Sequence, residues 1–329
     1  MSNTLNAVPH FDRPVAPDGY AWWYLDALDA QGRFGLAIIG FVGSVFSPYY
    51  AMARRRGEAD PLNHCSINVG LYLPDRTVWT MTERPRGSVA RSATELVVGP
   101  SALQWDGDRL RVDIDEVSAP LPSRVRGKVL VRPRFVCERD FALEPDGVHR
   151  WRPIMPLADV EVSFEKPALQ WRGTGYLDTN FGDAPIERAF SSWQWTRAHL
   201  PGGVTLVDYH AHPRAGPETM LNVRLERNAI LHSEEPRQRT GLATTAWGMH
   251  REVAADPGTL SRVRRTVESG PFYARSLLDI TLDGNPVLAM HETLSLDRFA
   301  AGWVQAMLPF RMPRTWRATP PRTVNRETA

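Results

Sequence analysis

Cysteine, lysine and long apolar runs are all scarce in this sequence of 329 residues. The only cysteines are Cys65 and Cys137, neither in a CxxC pair, which excludes a disulfide framework and fits a reduced, cytosolic compartment. Lysine occurs only at Lys128 and Lys166, so of 39 basic residues 39 − 2 = 37 are arginine, a bias of codon usage before it is a phosphate-binding signal. Against 37 acidic residues the formal charge is +2, and no global field favours nucleic acid. The longest apolar runs, Phe34 to Phe46 and Phe299 to Phe310, fall short of the ~20 residues a membrane-spanning helix needs. Met1 to Pro14 is polar and proline-punctuated, which predicts no secretory signal. No GxGxxG follows a strand pattern, and the P-loop, GxSxG and HExxH signatures are absent, so neither nucleotide-cofactor nor serine-hydrolase chemistry is indicated. The sequence announces no cofactor and no resident metal.

What is present is β patterning. Apolar residues alternate at Val160, Val162 and Phe164 and at Leu278, Ile280 and Leu282, while Val129-Leu130-Val131 is continuous and predicts a strand buried on both faces. Asp-Gly pairs at Asp18, Asp106, Asp146 and Asp283 supply turn chemistry. With 27 prolines and 24 glycines long helices are unfavourable, and the best helical segment is short, Tyr49 to Arg56. Two segment pairs look repeated. Trp22-Trp23-Tyr24 with its following FGLAIIGF resembles Trp193-Gln194-Trp195 with TLVDYHAH, and Pro167 to Asp178 aligns with Pro286 to Asp297. The pattern predicts an all-β protein of two antiparallel barrel or sandwich units in tandem with few short helices, residues 1–185 and 186–329, joined near Gly182-Asp183-Ala184-Pro185. Such units leave apolar cavities at their mouths and between them.

Two groups of residues have chemical potential. On a strand, Asp208, His210 and His212 share a face, and with His199, His250 or His291 as a further ligand they would suit a divalent ion; ordinary hydrogen-bonded histidines are the plainer reading. The second group is His149-Arg150-Trp151 with Tyr176-Leu177-Asp178. If both triplets are extended, His149 and Trp151 share one face and Tyr176 and Asp178 another. On neighbouring strands they would set an acid and an imidazole beside two aromatic faces, which suits chemistry through a carbocation. The bland alternatives are an Asp178 that caps a turn before Thr179-Asn180-Phe181-Gly182, and aromatic residues that merely fill the core.

The stretches GYAWWYLDAL, FVGSVFSPYYAMARRRG, ADPLNHCSINVGLY, HRWRPIMPLADVEVSF, WRGTGYLDTNFGDAPIERAF, SSWQWTRA and HETLSLD resemble the acyclic carotenoid 1,2-hydratase (hydroxyneurosporene synthase) family of photosynthetic bacteria, from about Gly19 to Arg314. The resemblance implies a lipocalin-like hydro-lyase that adds water across the terminal C1–C2 double bond of neurosporene or lycopene, without cofactor or metal. It places the family's functional positions on His149, Trp151, Tyr176 and Asp178. Asp178 would protonate C2, His149 would help activate water, and Trp151 and Tyr176 would steady the cation at C1. The partners expected are an acyclic carotenoid, water and the surface of the inner or intracytoplasmic membrane, touched peripherally by the Trp303 to Trp316 region and its arginines Arg311, Arg314, Arg317 and Arg322. A carrier of carotenoid or isoprenoid, and a pericyclase or isomerase on the same scaffold, are the competing expectations. Preferred carotenoid and oligomeric state are not legible.

Overall fold

The computed structural model of the chain describes residues 9–57, 59–233 and 237–322. Its first sheet contains β1 (Tyr20–Asp29), β2 (Gly35–Val42), β3 (Cys65–Tyr72), β4 (Thr77–Met81), β5 (Val89–Ser92), β6 (Glu95–Val98), β7 (Ser101–Trp105), β8 (Leu110–Val117), β9 (Arg124–Phe135), β10 (Phe141–Ala142), β11 (His149–Lys166) and β12 (Leu169–Gly182). They run in the order β4-β3-β2-β1-β12-β11-β9-β8-β7-β6-β5, with β10 against β11. The second sheet is built from β13 (Phe190–Leu200), β14 (Val204–Pro213), β15 (Thr219–Glu226), β16 (Ala229–Ser233), β19 (Arg262–Ser269), β20 (Tyr273–Leu282) and β21 (Asn285–Ser295), in the order β16-β15-β14-β13-β21-β20-β19. Strands β17 (Arg239–Leu242) and β18 (Arg251–Ala254) form a separate ribbon. All the paired strands are antiparallel. The helices are short: α1 (Pro48–Arg56), α2 (Ile186–Ala189), α3 (Leu296–Ala300) and α4 (Gly302–Arg311).

The suspected repeat is a repeat of topology. In each sheet a strand opening on an aromatic-rich segment, β1 or β13, lies between the next strand in sequence and the last one, β12 or β21. The ladders correct the residue alignment. Tyr24 pairs with Asp178, and the corresponding Trp195 pairs with Glu292, so Glu292 rather than Asp297 is the counterpart of Asp178. Asp297 lies in the first turn of α3 and forms an ion pair with Arg214 at 2.6 Å.

Period-2 alternation on doubly covered strands generates two cores. Ala21, Trp23, Leu25 and Ala27 point into the core enclosed by the curl of the first sheet, together with Val160, Val162 and Phe164. Trp22, Tyr24 and Leu28 point the other way, into a core shared with the second sheet that includes Trp193, Trp195 and Tyr209. A buried ion pair, Asp26 with Arg197, ties β1 to β13. The second alternating strand, with Leu278, Ile280 and Leu282, packs in a smaller core of the second sheet. The expectation for Val129-Leu130-Val131 fails. β9 buries Val129 and Val131 but leaves Leu130 half-exposed on its outer face, where it sits between Arg111 and Glu161 of the adjacent strands.

Turn chemistry is visible at Asp283-Gly284, where φ values of 51° and 74° join β20 to β21 in a tight hairpin. The short helix is the expected one: Ser47 caps α1 by accepting from the N–H groups of Tyr49 and Tyr50, and Gly57 ends it at φ 79°. Beyond α4 the chain is docked. Glu83 N–H donates to Pro313 O at 2.9 Å, Arg314 pairs with buried Glu83, and Arg322 N–H donates to Gly99 O at 3.0 Å.

Candidate active site

Strand β12 presents Tyr176, Asp178 and Asn180 on the face toward the second sheet and Leu177 on the opposite face. Asp178 is therefore a mid-strand residue, not a turn cap. Its neighbour β11 slips against β12: Arg152 pairs with Thr179, but the next regular pair is Met155 with Leu177. Trp151, laddered to Asn180, lies diagonally from Asp178, within reach of a long side chain. Trp151 Nε1 donates to Asp178 Oδ2 at 2.8 Å, and the Tyr176 hydroxyl donates to the same oxygen at 2.9 Å. Oδ1 is buried and has no hydrogen-bond partner among the described residues. Burial pushes the Asp178 carboxyl up to about 8; the bonds from Trp151 and Tyr176 hold it down in part, and the charge of Glu292 adds to the rise. At neutral pH this is a protonated acid.

Asp178 lines a cavity of about 990 Å³, counting its mouth, between the two sheets. Around the acid stand Tyr24, Trp195 and Tyr209, and Trp22, Phe41 and Trp193 continue the aromatic wall. Tyr24 and Trp195 meet edge to face at 5.5 Å, each from its own sheet. Farther along, the wall carries the charged residues Glu268, Arg275 and Glu292, and α4 supplies Leu308 and Arg311. Arg275 donates to Glu292 Oε1 at 2.8 Å from Nε and contacts Glu268 Oε1 at 2.5 Å.

Thus Trp151, Tyr176 and Asp178 are brought into one hydrogen-bonded group, while His149 stands apart. His149 is laddered to Gly182, four residues along β12 from Asp178, or about 13 Å at a strand's usual rise. Its Nδ1 bonds the Tyr20 hydroxyl at 2.9 Å, and Phe190 packs edge-on at 5.3 Å. Burial lowers its pKa to about 4, so the ring is neutral. Tyr20 in turn stacks on Trp22 of the cavity wall at 4.9 Å. Trp151 and Tyr176 hold the acid from behind; the rings beside it in the cavity are Tyr24, Trp195 and Tyr209. Sequence reasoning saw Tyr24 and Trp195 only as repeat markers and missed Tyr209, Arg275 and Glu292. The available signal was the alternation Trp22/Tyr24 and Trp193/Trp195 on the opening strands.

The alternative metal group is also rearranged. His210 Nε2 and His212 Nδ1 both contact Glu218, at 2.9 and 3.0 Å, and the ligand atoms of these three residues lie within 4.8 Å of one another. Asp208 is engaged by Arg239 at 2.9 Å, His199 bonds Pro156 O at 3.2 Å, His291 bonds Thr196 and Thr293, and His250 is exposed. None of these four joins the cluster. Its residues are absent from the cavity wall that carries Asp178.

Comparison with known proteins agrees with this architecture. The chain is 50% identical over 307 residues to an acyclic carotenoid 1,2-hydratase of Thiocapsa roseopersicina, covering 93% of this chain and 76% of the relative. It is 44% identical over 308 residues to the protein of that name from Rubrivivax gelatinosus, with the same coverages. Among solved structures, a protein described as an AttH from Nitrosomonas europaea superposes with a TM-score of 0.59 at 14% identity, over 84% of this chain and 92% of that one. Kievitone hydratase from Nectria haematococca does so with a TM-score of 0.53 at 12% identity, over 90% and 96%. Likeness at these identities concerns the fold, which is lipocalin-like and all-β. The family model described as carotenoid hydratase CrtC matches residues 38–320, and the chain belongs to that family.

Proposed function

We propose that this protein is a hydro-lyase that hydrates the terminal C1–C2 double bond of acyclic carotenoids such as neurosporene and lycopene. The observation that carries the reading is a buried, neutral Asp178 whose Oδ1 has no partner among the described residues and which lines an aromatic cavity. Trp151 and Tyr176 both donate to Oδ2, so the acid's own proton belongs on Oδ1. Transfer of that proton to C2 breaks the π bond and leaves a tertiary cation at C1. Tyr24, Trp195 and Tyr209 offer π faces to it; one desolvated cation–π contact contributes ~2 kcal/mol, about thirtyfold in rate if made mainly in the transition state. Water then adds at C1 and loses a proton. His149 supports the site as a positioning residue, through Tyr20 onto Trp22.

The lipid-borne substrate calls for access from a membrane. No helix among the described residues is long and apolar enough to cross one. Helix α4, which lines the cavity with Leu308 and Arg311, buries Val304 and Leu308 and leaves Trp303 (52% exposed) and Phe310 (79%) outward. We assign this face to peripheral contact with the bilayer interface. Of the nearby arginines, Arg314 is committed to Glu83 and Arg311 covers the Trp79 ring at 4.4 Å, while Arg317 and Arg322 are exposed.

The test is incubation of lycopene with the protein and with its Asp178→Asn variant. Gain of one water by mass spectrometry, lost in the variant while folding is intact, is the expected result. Bound but unaltered pigment would establish a carrier, and a rearranged isomer of unchanged mass a pericyclase or isomerase.

A further inference from the structure

We propose that Glu292, held by Arg275, is the base that takes a proton from the water adding at C1, a role that rests on the hydratase reading above. The duplicated topology sets two carboxyl groups at corresponding points of the two sheets. Asp178 lies beside Tyr24 in the β1–β12 ladder, Glu292 beside Trp195 in the β13–β21 ladder, and the two rings touch between them. Both carboxyl groups line the same cavity. Their partners differ in kind. Among the described residues Asp178 receives bonds only from neutral donors, an indole and a phenol. Glu292 faces a guanidinium, and both contacts, from Nε at 2.8 Å and Nη2 at 2.7 Å, go to Oε1. The side chain keeps 14% exposure, enough to meet a small molecule in the cavity. Pairs of carboxyl groups in opposed environments divide acid from base work.

Hydrogen-bonding capacity in the cavity points the same way. The hydroxyls of Tyr24, Tyr273 and Ser269 and the indole N–H of Trp195 are buried, belong to residues that line the cavity and have no partner among the described residues. A held water needs two to four polar partners, and these groups line the same cavity as Glu292. Burial, with the Glu292 charge adding to it, pushes the Tyr24 and Tyr273 hydroxyls well up, so both remain donors. The other carboxylate on this wall, Glu268, already accepts at Oε1 from Tyr72 and Arg275, both at 2.5 Å. The same Glu292 charge contributes to the rise of Asp178, which places the two groups in electrostatic reach.

The step balances. The water oxygen forms a bond to C1, one of its O–H bonds breaks, and the proton goes to the Glu292 carboxylate, leaving the neutral tertiary alcohol. Return of that proton through cavity water to the Asp178 carboxylate resets both groups, and the net change is addition of one water.

Deuterium separates the two half-reactions. If only water capture is impaired, the cation forms and collapses back to alkene, carrying label into recovered substrate. The full-length protein and its Glu292→Gln and Glu292→Asp variants are incubated with neurosporene in deuterated buffer, with folding followed by circular dichroism. Expected is at least a ~100-fold loss of hydration in Glu292→Gln, with deuterium still entering recovered neurosporene, and partial recovery of hydration in Glu292→Asp. Hydration within threefold of the parent in Glu292→Gln would overturn the proposal. So would loss of both hydration and exchange in the two folded variants, since that marks Glu292 as structural. If the parent protein itself fails to hydrate, it is the hydratase reading that falls.

Discussion

Trp151 and Asp178 are bonded although the ladder does not pair them: Trp151 lies opposite Asn180, and its indole N–H reaches across the diagonal to Asp178 Oδ2 at 2.8 Å. A regular ladder would set these side chains on a diagonal of ~7–8 Å between backbones, bridged only by a long donor such as indole. The length of the indole therefore belongs to the acid's environment as much as its burial does.

Activity should decline as pH rises through about 8, where Asp178 loses its proton in the free enzyme. The same shift acts on stability. Below the ordinary value of 3.8 both folded and unfolded chains hold the proton and the contribution is complete; between 3.8 and about 8 only the folded chain holds it, so stability falls as pH rises, at up to about 1.4 kcal/mol per unit. Asp178→Asn should abolish hydration yet flatten this decline, leaving the variant more resistant to urea than the parent at pH 8. Denaturation curves at pH 5 and pH 8 check it.

Removing a donor to Oδ2 has a definite sign. The bonds from Trp151 and Tyr176 favour the ionised carboxyl, so Trp151→Phe or Tyr176→Phe should move the alkaline limb of kcat/KM to higher pH while lowering the plateau by misorienting the acid. An alkaline limb that moves down, or stays in place, would contradict the assignment.

His149 acts on the acid side. Burial lowers it from 6.5 to about 4, so its contribution is present above 6.5 and is lost as pH falls through about 4. His149→Gln should lessen the fall in urea midpoint between pH 6.5 and pH 4.

Gly182 lies under that ring. A Cβ there would stand 2.4 Å from His149 Nδ1 and 3.1 Å from the Tyr20 ring. Gly182→Ala should cost about 1–3 kcal/mol, and less in a His149→Ala background, where the ring no longer obstructs it. A double-mutant cycle measures the difference.

The outward face of α4 is tested by flotation with liposomes of anionic lipid. Trp303→Ser combined with Phe310→Ser should cut binding at least tenfold, with turnover of detergent-dispersed carotenoid kept within a few-fold, because neither side chain lines the cavity.

Local chemistry determined much of this protein directly. Period-2 alternation and Asp-Gly turns specify antiparallel strands, Ser47 and Gly57 bound the single predicted helix, and Tyr176 and Asp178, two apart on a strand, must share a face. The repeat was legible as a likeness of segments, and its register was not. Hydrogen-bond ladders are set by contacts between distant strands, so only the folded sheets show Glu292 opposite Trp195 and leave Asp297 in a helix. For the same reason His149, near Asp178 in motif, is carried to the level of Gly182, and Trp151, opposite Asn180, is the residue whose side chain reaches the acid. The sequence decides which residues alternate; the packing of two curled sheets decides which alternating faces meet, and so which carboxyl groups share one cavity and which donors each receives.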